Sequence, residues 1–167
     1  TSLEGVVGGL ARLIEPDVGI VLMIGMAHAG GEGGMDAIVS AKAELVREVR
    51  PGGTVILNSD DPRVASMAPL ATARDATVRW FGHGDAADVR ASDVESTASG
   101  TTFTVTADGV SRPVRLKVLG AHHVGNALAT LTAALALGVD LDDAIASAAE
   151  LAGLEEGRYD IQYFEPP

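Results

Sequence analysis

The hydrophobic and polar positions in the first half of the chain alternate between strand-like and helix-like patterns. Residues 18–24 form a continuous apolar run rich in β-branched residues, which is typical of a strand buried on both faces. Residues 36–49 then place apolar side chains at helical spacing. Two further apolar runs, 54–57 and 77–81, flank a helix predicted from Pro62 to about residue 73. The order β-α-β-α-β predicts a parallel sheet.

After "GHGD" (82–85) the pattern changes to alternating polar and apolar positions. This alternation predicts three antiparallel strands, with "SG" and "DG" as turn signals between them, at residues 89–94, 101–107 and 111–118. An Ala- and Leu-rich helix is predicted at residues 122–137, ended by Gly138, and another helix follows with Asp140 as its cap.

These elements predict one α/β domain with a parallel, Rossmann-like sheet flanked by helices and a small antiparallel β subdomain at about 85–118. We assign the single domain to residues 1–167. Its parts are the β-α-β-α-β part at 1–82, the small antiparallel sheet at 83–119, the helical part at 120–153 and a C-terminal strand or tail at 154–167.

Composition excludes several classes of protein. A chain of 167 residues that is 47% hydrophobic is long enough to bury a core. The net charge of -11 argues against a nucleic-acid partner. The absence of cysteine excludes disulfides and thiolate chemistry. With no apolar stretch of roughly 18 residues and no leader-like start, we expect a soluble cytoplasmic protein without a membrane partner.

The first candidate residues follow the first strand. His28 lies just past its carboxyl end, where open α/β sheets bind ligands, although a lone loop histidine is also an ordinary surface residue. The segment "AGGEGG" (29–34) allows close backbone approach to a ligand, but it is equally a flexible connection and matches neither a P-loop nor a dinucleotide fingerprint. Lys42 shares a helical face with apolar residues, so it is either a snorkelling lysine or a charged or modified amine in a site.

Two later segments are also ambiguous. "LNSDDP" (57–62) suits a strand end, an Asx turn and a helix cap. In "GAHHVGNALA" (120–129), His122 and Asn126 are four residues apart and face one side of a helix. The Asn126 amide could read a base edge, or it could be a surface residue.

Taken together, these motifs resemble the central, ATP-binding domain of the Mur ligase family. The strand, "GMAH", the glycine-rich loop and "AKAE" follow the family pattern without a gap, and "VILNSDDPRVASMA", "LGAHHVGNALATLTAALALG" and "EGRYDIQ" continue it in order. The resemblance covers roughly residues 8–161. Within the family it is greatest to ligases that add D-alanyl-D-alanine to a UDP-muramoyl tripeptide.

The resemblance implies roles for individual residues. Lys42 matches a lysine that is carbamylated and binds Mg²⁺, and His28 matches the histidine of the same magnesium site. Asn126 matches an asparagine near adenine, with His122 in the motif before it, and Arg158 matches an arginine that contacts nucleotide phosphate. The implied cofactors are therefore ATP and Mg²⁺, and the implied partners are a UDP-muramoyl peptide and D-Ala-D-Ala. The implied chemistry is formation of an acyl phosphate followed by attack of an amine.

The sequence also departs from the family pattern. We find no counterpart of the P-loop or of the N- and C-terminal domains. The position of a magnesium-binding glutamate falls on Thr1, or on Glu4 if residues were deleted, and Met23 and Met26 replace polar residues before the histidine. Because ligase chemistry draws on several domains, we expect the ligase fold without ligase activity in the isolated chain. A fragment, an engineered minimal domain or a degenerate homologue would each fit.

The alternative is a non-catalytic binding or self-associating module. An exposed sheet edge is a template for pairing with another chain, and the alternating C-terminal segment adds Tyr159, Tyr163 and Phe164. This hypothesis predicts a homodimer formed through the sheet edge or the C-terminal segment. Residual nucleotide binding through Asn126 and Arg158 is a third hypothesis.

Overall fold

The computed structural model describes residues 6–25, 34–118, 120 and 122–154. The helices of the described residues are α1 (Val6–Ile14), α2 (Gly34–Glu48), α3 (Pro62–Ala65), α4 (Ala68–Thr72), α5 (His122–Ala136) and α6 (Leu141–Leu154). The strands are β1 (Val18–Val21), β2 (Thr54–Asn58), β3 (Thr77–Gly82), β4 (Val89–Thr97), β5 (Gly100–Ala107) and β6 (Val110–Leu116).

The six strands form one mixed sheet in the order β1-β2-β3-β4-β5-β6. Strands β1 to β4 are parallel, and β4, β5 and β6 are successively antiparallel. The predicted α/β class with parallel and antiparallel parts is therefore confirmed. The antiparallel strands continue the parallel sheet, because β4 pairs with β3 through Phe81 opposite Val89 and Gly82 opposite Arg90.

Helices cover both faces of the sheet. Strand β2 is buried on both sides: Val55 and Leu57 belong to a core with residues of α2, α3 and α4, whereas Ile56 belongs to a core with residues of α5 and α6. This explains the continuous apolar run in the sequence, since a strand with two covered faces has no solvent side. None of the described helices combines the length and the apolar character needed to cross a bilayer.

The turn between β5 and β6 follows the predicted chemistry. Asp108 and Gly109 have φ angles of 49° and 77°, and Ala107 pairs with Val110 across them. Two central residues with positive φ are typical of a type I′ hairpin turn, for which Asp-Gly is a favoured sequence.

Several elements differ from the sequence predictions. Strand β1 ends at Val21 instead of residue 24, and α1 was not predicted at all. The single helix predicted at 62–73 is two short helices, because Pro69 has no amide hydrogen to donate to Ala65 and its ring disfavours a continuous helix. The predicted C-terminal strand or tail lies outside the described residues, apart from Leu154 at the end of α6.

Candidate functional site

The candidate residues that the structure describes, Lys42, His122 and Asn126, lie on elements that meet at one edge of the sheet. Because β1 to β4 are parallel, their carboxyl ends meet there, and this is where open α/β sheets bind ligands. Two antiparallel pairings bring β6 back to the direction of β4, so the chain enters α5 from the same edge. Side chains from α2, from the end of β2, from the loop after β3 and from the start of α5 therefore lie on one side of the molecule.

Lys42 reaches this edge from α2. Its Nζ donates a hydrogen bond to the carbonyl oxygen of Met23 at 2.6 Å, and the residue is half-buried. An ammonium group has three donors and no acceptor. In this form Lys42 therefore binds a carbonyl oxygen and cannot coordinate a cation.

The segment Asn58–Asp61 connects β2 to both neighbouring strands. The predicted Asx turn is present, since the side-chain oxygen of Asn58 accepts a hydrogen bond from the amide of Asp60 at 2.9 Å. The predicted cap is present too, because Asp61 accepts from the amides of Arg63 and Val64 at the start of α3. The structure adds contacts with the loop after β3 that the sequence did not predict.

Asp60 accepts hydrogen bonds from three groups of that loop. They are the amide of His83 at 2.8 Å, the ring Nδ1 of His83 at 2.9 Å and the amide of Gly84 at 3.3 Å. Burial opposes ionisation, but the hydrogen bonds from the His83 ring and from the two amides outweigh it and hold the pKa of Asp60 below its ordinary value. A charged carboxylate therefore orients an exposed histidine at this edge.

This contact requires a glycine at the end of β3. A Cβ atom on Gly82 would lie 2.8 Å from Oδ1 of Asp60 and would overlap Oγ of Ser59. Ser59 is held there by its own bond to the carbonyl oxygen of Phe81. The sequence signal for the Asp60–His83 pair is the glycine on each side of the histidine in "GHG" (82–84), which from the hydrophobic pattern alone marks only a boundary between strands.

His122 and Asn126 lie in the first turns of α5, and both are exposed. The His122 ring lies against the ring of His123, with centroids 4.0 Å apart and planes inclined by 41°. The side chain of Asn126 is open to solvent, while its carbonyl oxygen accepts from Thr130. Both residues face outward at the edge that Lys42 reaches, and they come from the opposite face of the sheet.

The other two predicted site residues, His28 and Arg158, lie outside the described residues, as does the loop at 26–33. Within the described ranges, no cluster of three or more His, Asp or Glu side chains is arranged for a metal ion. Asp60 and Asp61 are both occupied by amide donors. Of the described candidates, Lys42 thus fits a magnesium site only if a carboxylate is added to its amine.

Comparison with known proteins identifies the same family as the sequence motifs. A family model described as the Mur ligase middle domain matches residues 3–134. The UDP-N-acetylmuramoyl-tripeptide--D-alanyl-D-alanine ligase of Mycobacterium tuberculosis is 38% identical over 145 residues, 86% of this chain and 28% of that protein. The UDP-N-acetylmuramate--L-alanine ligase of Kineococcus radiotolerans is 36% identical over 132 residues, 79% of this chain and 28% of that protein. The chain thus spans less than a third of the length of these relatives.

Solved structures that are similar to this chain include two MurF ligases. MurF from Acinetobacter baumannii has a TM-score of 0.80 and 32% identity, with 90% of this chain and 32% of that chain covered. The MurF ligase of Thermotoga maritima in complex with ADP has a TM-score of 0.72 over 86% of this chain and 33% of that chain. At 23% identity, the second likeness shows the fold alone.

Proposed function

We propose that this chain, which belongs to the Mur ligase family, is part of the middle domain of a ligase that joins D-alanyl-D-alanine to a UDP-muramoyl tripeptide. The family match over residues 3–134 and the 38% identity to a mycobacterial ligase of that specificity support the proposal. A relative at 36% identity uses L-alanine instead, so the choice of amine substrate is the part that most needs an assay. We place the reaction in the cytoplasm.

In the proposed reaction, ATP transfers its terminal phosphoryl group to the carboxylate of the muramoyl peptide and leaves as ADP. The amine of D-alanyl-D-alanine then attacks the acyl phosphate, forms the amide and releases phosphate. Lys42, as a carbamate, and His28 would hold Mg²⁺, which when bound offsets phosphate charge. Asn126, with His122 beside it, would contact adenine, and Arg158 would contact phosphate.

The position of Lys42 is the observation that carries the proposal. Its amine lies at the carboxyl edge of the sheet against Met23, five residues before His28 in the chain. Five residues span at most ~18 Å when fully extended, so the chain length allows His28 and a Lys42 carbamate to reach the same magnesium ion. The exposed side-chain amide of Asn126 lies in the first turns of α5, a helix that begins at the same edge.

We expect no turnover from the isolated chain, because phosphoryl transfer needs groups that cradle the phosphates and exclude water. The decisive experiment grafts this chain into the M. tuberculosis relative in place of its matching segment. ADP release is then measured with ATP, Mg²⁺, UDP-muramoyl tripeptide and D-alanyl-D-alanine. The graft should be active, and Lys42→Met should abolish its activity.

The chain's other lysine, Lys117, provides a matched control. It is exposed after β6, so Lys117→Met should leave the grafted enzyme active. A folded graft that is inactive with both lysines present, or in which Lys42→Met is as active as Lys117→Met, would refute the proposal. Activity with L-alanine in place of D-alanyl-D-alanine would instead assign L-alanine as the amine substrate.

A second candidate function is self-association through a second copy of the chain. Among the described strands β1 and β6 are the edges of the sheet, and the α1 residues Leu10, Leu13 and Ile14, which precede β1 in the chain, are exposed by 60%, 86% and 63%. An unpaired edge strand and an exposed apolar helix face suit association with a second copy through β1. Light scattering during gel filtration tests this: a dimer that Leu13→Glu dissociates supports it, and a monomer at high concentration refutes it.

A further inference from the structure

Three consecutive residues after β1 are each held by a polar side chain from a different part of the fold. We call residues 22–24 the β1 extension. The carbonyl oxygen of Leu22 accepts from Nδ2 of Asn58 at 2.9 Å. The carbonyl oxygen of Met23 accepts from Nζ of Lys42 at 2.6 Å. The amide of Ile24 donates to Oδ2 of Asp61 at 2.8 Å.

Hydrophobic burial does not fix the middle of the β1 extension. Leu22 is 40% exposed and Met23 is 55% exposed, and only Ile24, at 6%, is buried. Main-chain hydrogen bonds to β2 do not order the β1 extension either, because the pairing of β1 with β2 ends at Val21 opposite Leu57. The conformation of Met23 therefore depends on the side chains that hold its neighbours.

The contacts to Leu22 and Ile24 use side-chain atoms that the Asx turn and the helix cap leave available. A helix cap uses one acceptor oxygen, and Oδ1 of Asp61 already accepts from the amides of Arg63 and Val64 at 3.0 and 3.4 Å. The second oxygen, Oδ2, is left for Ile24. Likewise, the Asx turn uses only the side-chain oxygen of Asn58, and its NH₂ group is left for Leu22.

We propose that Asn58 and Asp61 are positioning residues for Lys42. By fixing the residues on either side of Met23, they present its carbonyl oxygen to the lysine amine and so set where that amine lies at the carboxyl edge of the sheet. Lys42 is a proposed magnesium-binding residue, so the importance of this arrangement for catalysis rests on the proposed function. The arrangement itself rests only on the three contacts.

The test uses the full chain and two variants that spare the local structure. Asp61→Ser keeps a capping oxygen for α3 but is too short to hold Ile24 as well. Asn58→Asp keeps the Asx-turn acceptor and removes the donor to Leu22. Ser59→Ala is the matched control, because Ser59 lies between them and bonds the carbonyl oxygen of Phe81 on the other neighbouring strand.

Two measurements are made on each protein. The first is the hydrogen-exchange rate of the Ile24 amide by NMR. The second is the rate at which an amine-acylating reagent modifies Lys42 relative to Lys117, the other lysine of the chain, by mass spectrometry. Lys117 is already exposed, so its rate serves as the reference for reagent reactivity, and urea denaturation of each variant is the control for a general loosening of the fold.

We expect Asp61→Ser to accelerate Ile24 exchange by about tenfold, which is the effect of one net hydrogen bond. Asp61→Ser and Asn58→Asp should both raise the Lys42 to Lys117 labelling ratio several-fold, and Ser59→Ala should change neither quantity. An unchanged ratio in both variants overturns the inference. Failure of the grafted enzyme with Lys42 intact counts against the proposed function alone, because the labelling ratio is measured without substrate or nucleotide.

Discussion

Replacing Gly82 with alanine puts a methyl group where Ser59 and Asp60 already lie. The added carbon would be 2.8 Å from Oδ1 of Asp60 and 2.9 Å from its Cγ, and it would overlap Oγ of Ser59. The φ angle of Gly82 is not in the positive range, so the backbone accepts alanine and the effect comes from this contact. The carboxylate has to move away from the amides of His83 and Gly84.

The expected magnitude combines three effects. Forcing an extra carbon into a filled space costs roughly 1–3 kcal/mol. Weakening the hydrogen bonds to Asp60 adds about 1 kcal/mol, less than for a buried charge because the Asp60 side chain is 38% exposed. Alanine recovers ~0.4–1 kcal/mol by restricting the unfolded chain. The net loss in the free energy of unfolding is about 2 kcal/mol, or a fall in Tm of roughly 4–8 °C.

Urea denaturation at pH 7 measures this loss, and Gly84→Ala is the matched control. A Cβ on Gly84 would lie 3.7 Å from Oδ1 of Asp60, an ordinary contact, so that variant should change stability by less than about 1 kcal/mol. Equal stability of Gly82→Ala and Gly84→Ala would refute the reasoning. Recovery of stability in the double variant Ser59→Ala with Gly82→Ala would assign part of the loss to the Ser59 overlap.

The same variant has a predictable dependence on pH. The pKa of Asp60 is lower in the folded protein than its ordinary value, so its contacts contribute stability above the unfolded pKa of ~3.9 and lose it as the pH falls through the folded pKa. Gly82→Ala weakens those contacts. The stability difference between the two proteins should therefore shrink below about pH 4, and a difference that grows on acidification would contradict the role given to Asp60.

Other predictions concern stability elsewhere. Gly100→Ala, at φ 124° and against a carbonyl oxygen of β6, should cost at least about 3 kcal/mol in urea denaturation, whereas Gly109→Ala, at φ 77° in open space, should cost only about 1 kcal/mol; equal losses would contradict the overlap. Leu128→Ala removes a fully buried side chain of α5 and should cost roughly 2–5 kcal/mol by the same method. Arg12→Ala breaks an exposed ion pair with Glu48, and calorimetry should find Tm nearly unchanged.

The regular part of the fold was predictable because each element is defined by its own residues. The buried run of β2, the Asp-Gly turn and the Pro62 helix start all appear where the pattern indicated. Helix α1 was missed because Gly8 and Gly9 are poor helix formers. The helix forms nonetheless, and Gly8 donates its amide to the carboxylate of Glu44 on α2 at 2.8 Å.

The candidate site was only partly predictable because its contacts join distant residues. Asp60 and His83 are separated by 23 positions, and Asp61 and Ile24 by 37. Apolar character predicted a strand through residue 24, but polar side chains occupy the backbone groups of residues 22–24 and end the pairing at Val21. Hydrophobic periodicity carries no information about such side-chain bonds to the backbone.

The order of strands in the sheet has a consequence for folding. Each described strand is hydrogen-bonded only to the strands directly before and after it in the chain. The β4–β5 and β5–β6 hairpins close short loops, which keeps their contact order low, whereas the parallel pairs span 36 residues from Val18 to Thr54 and 23 from Thr54 to Thr77 and form more slowly. During synthesis, the partner of each new strand has already been synthesised. The strands of this sheet can therefore pair in the order in which the ribosome releases them.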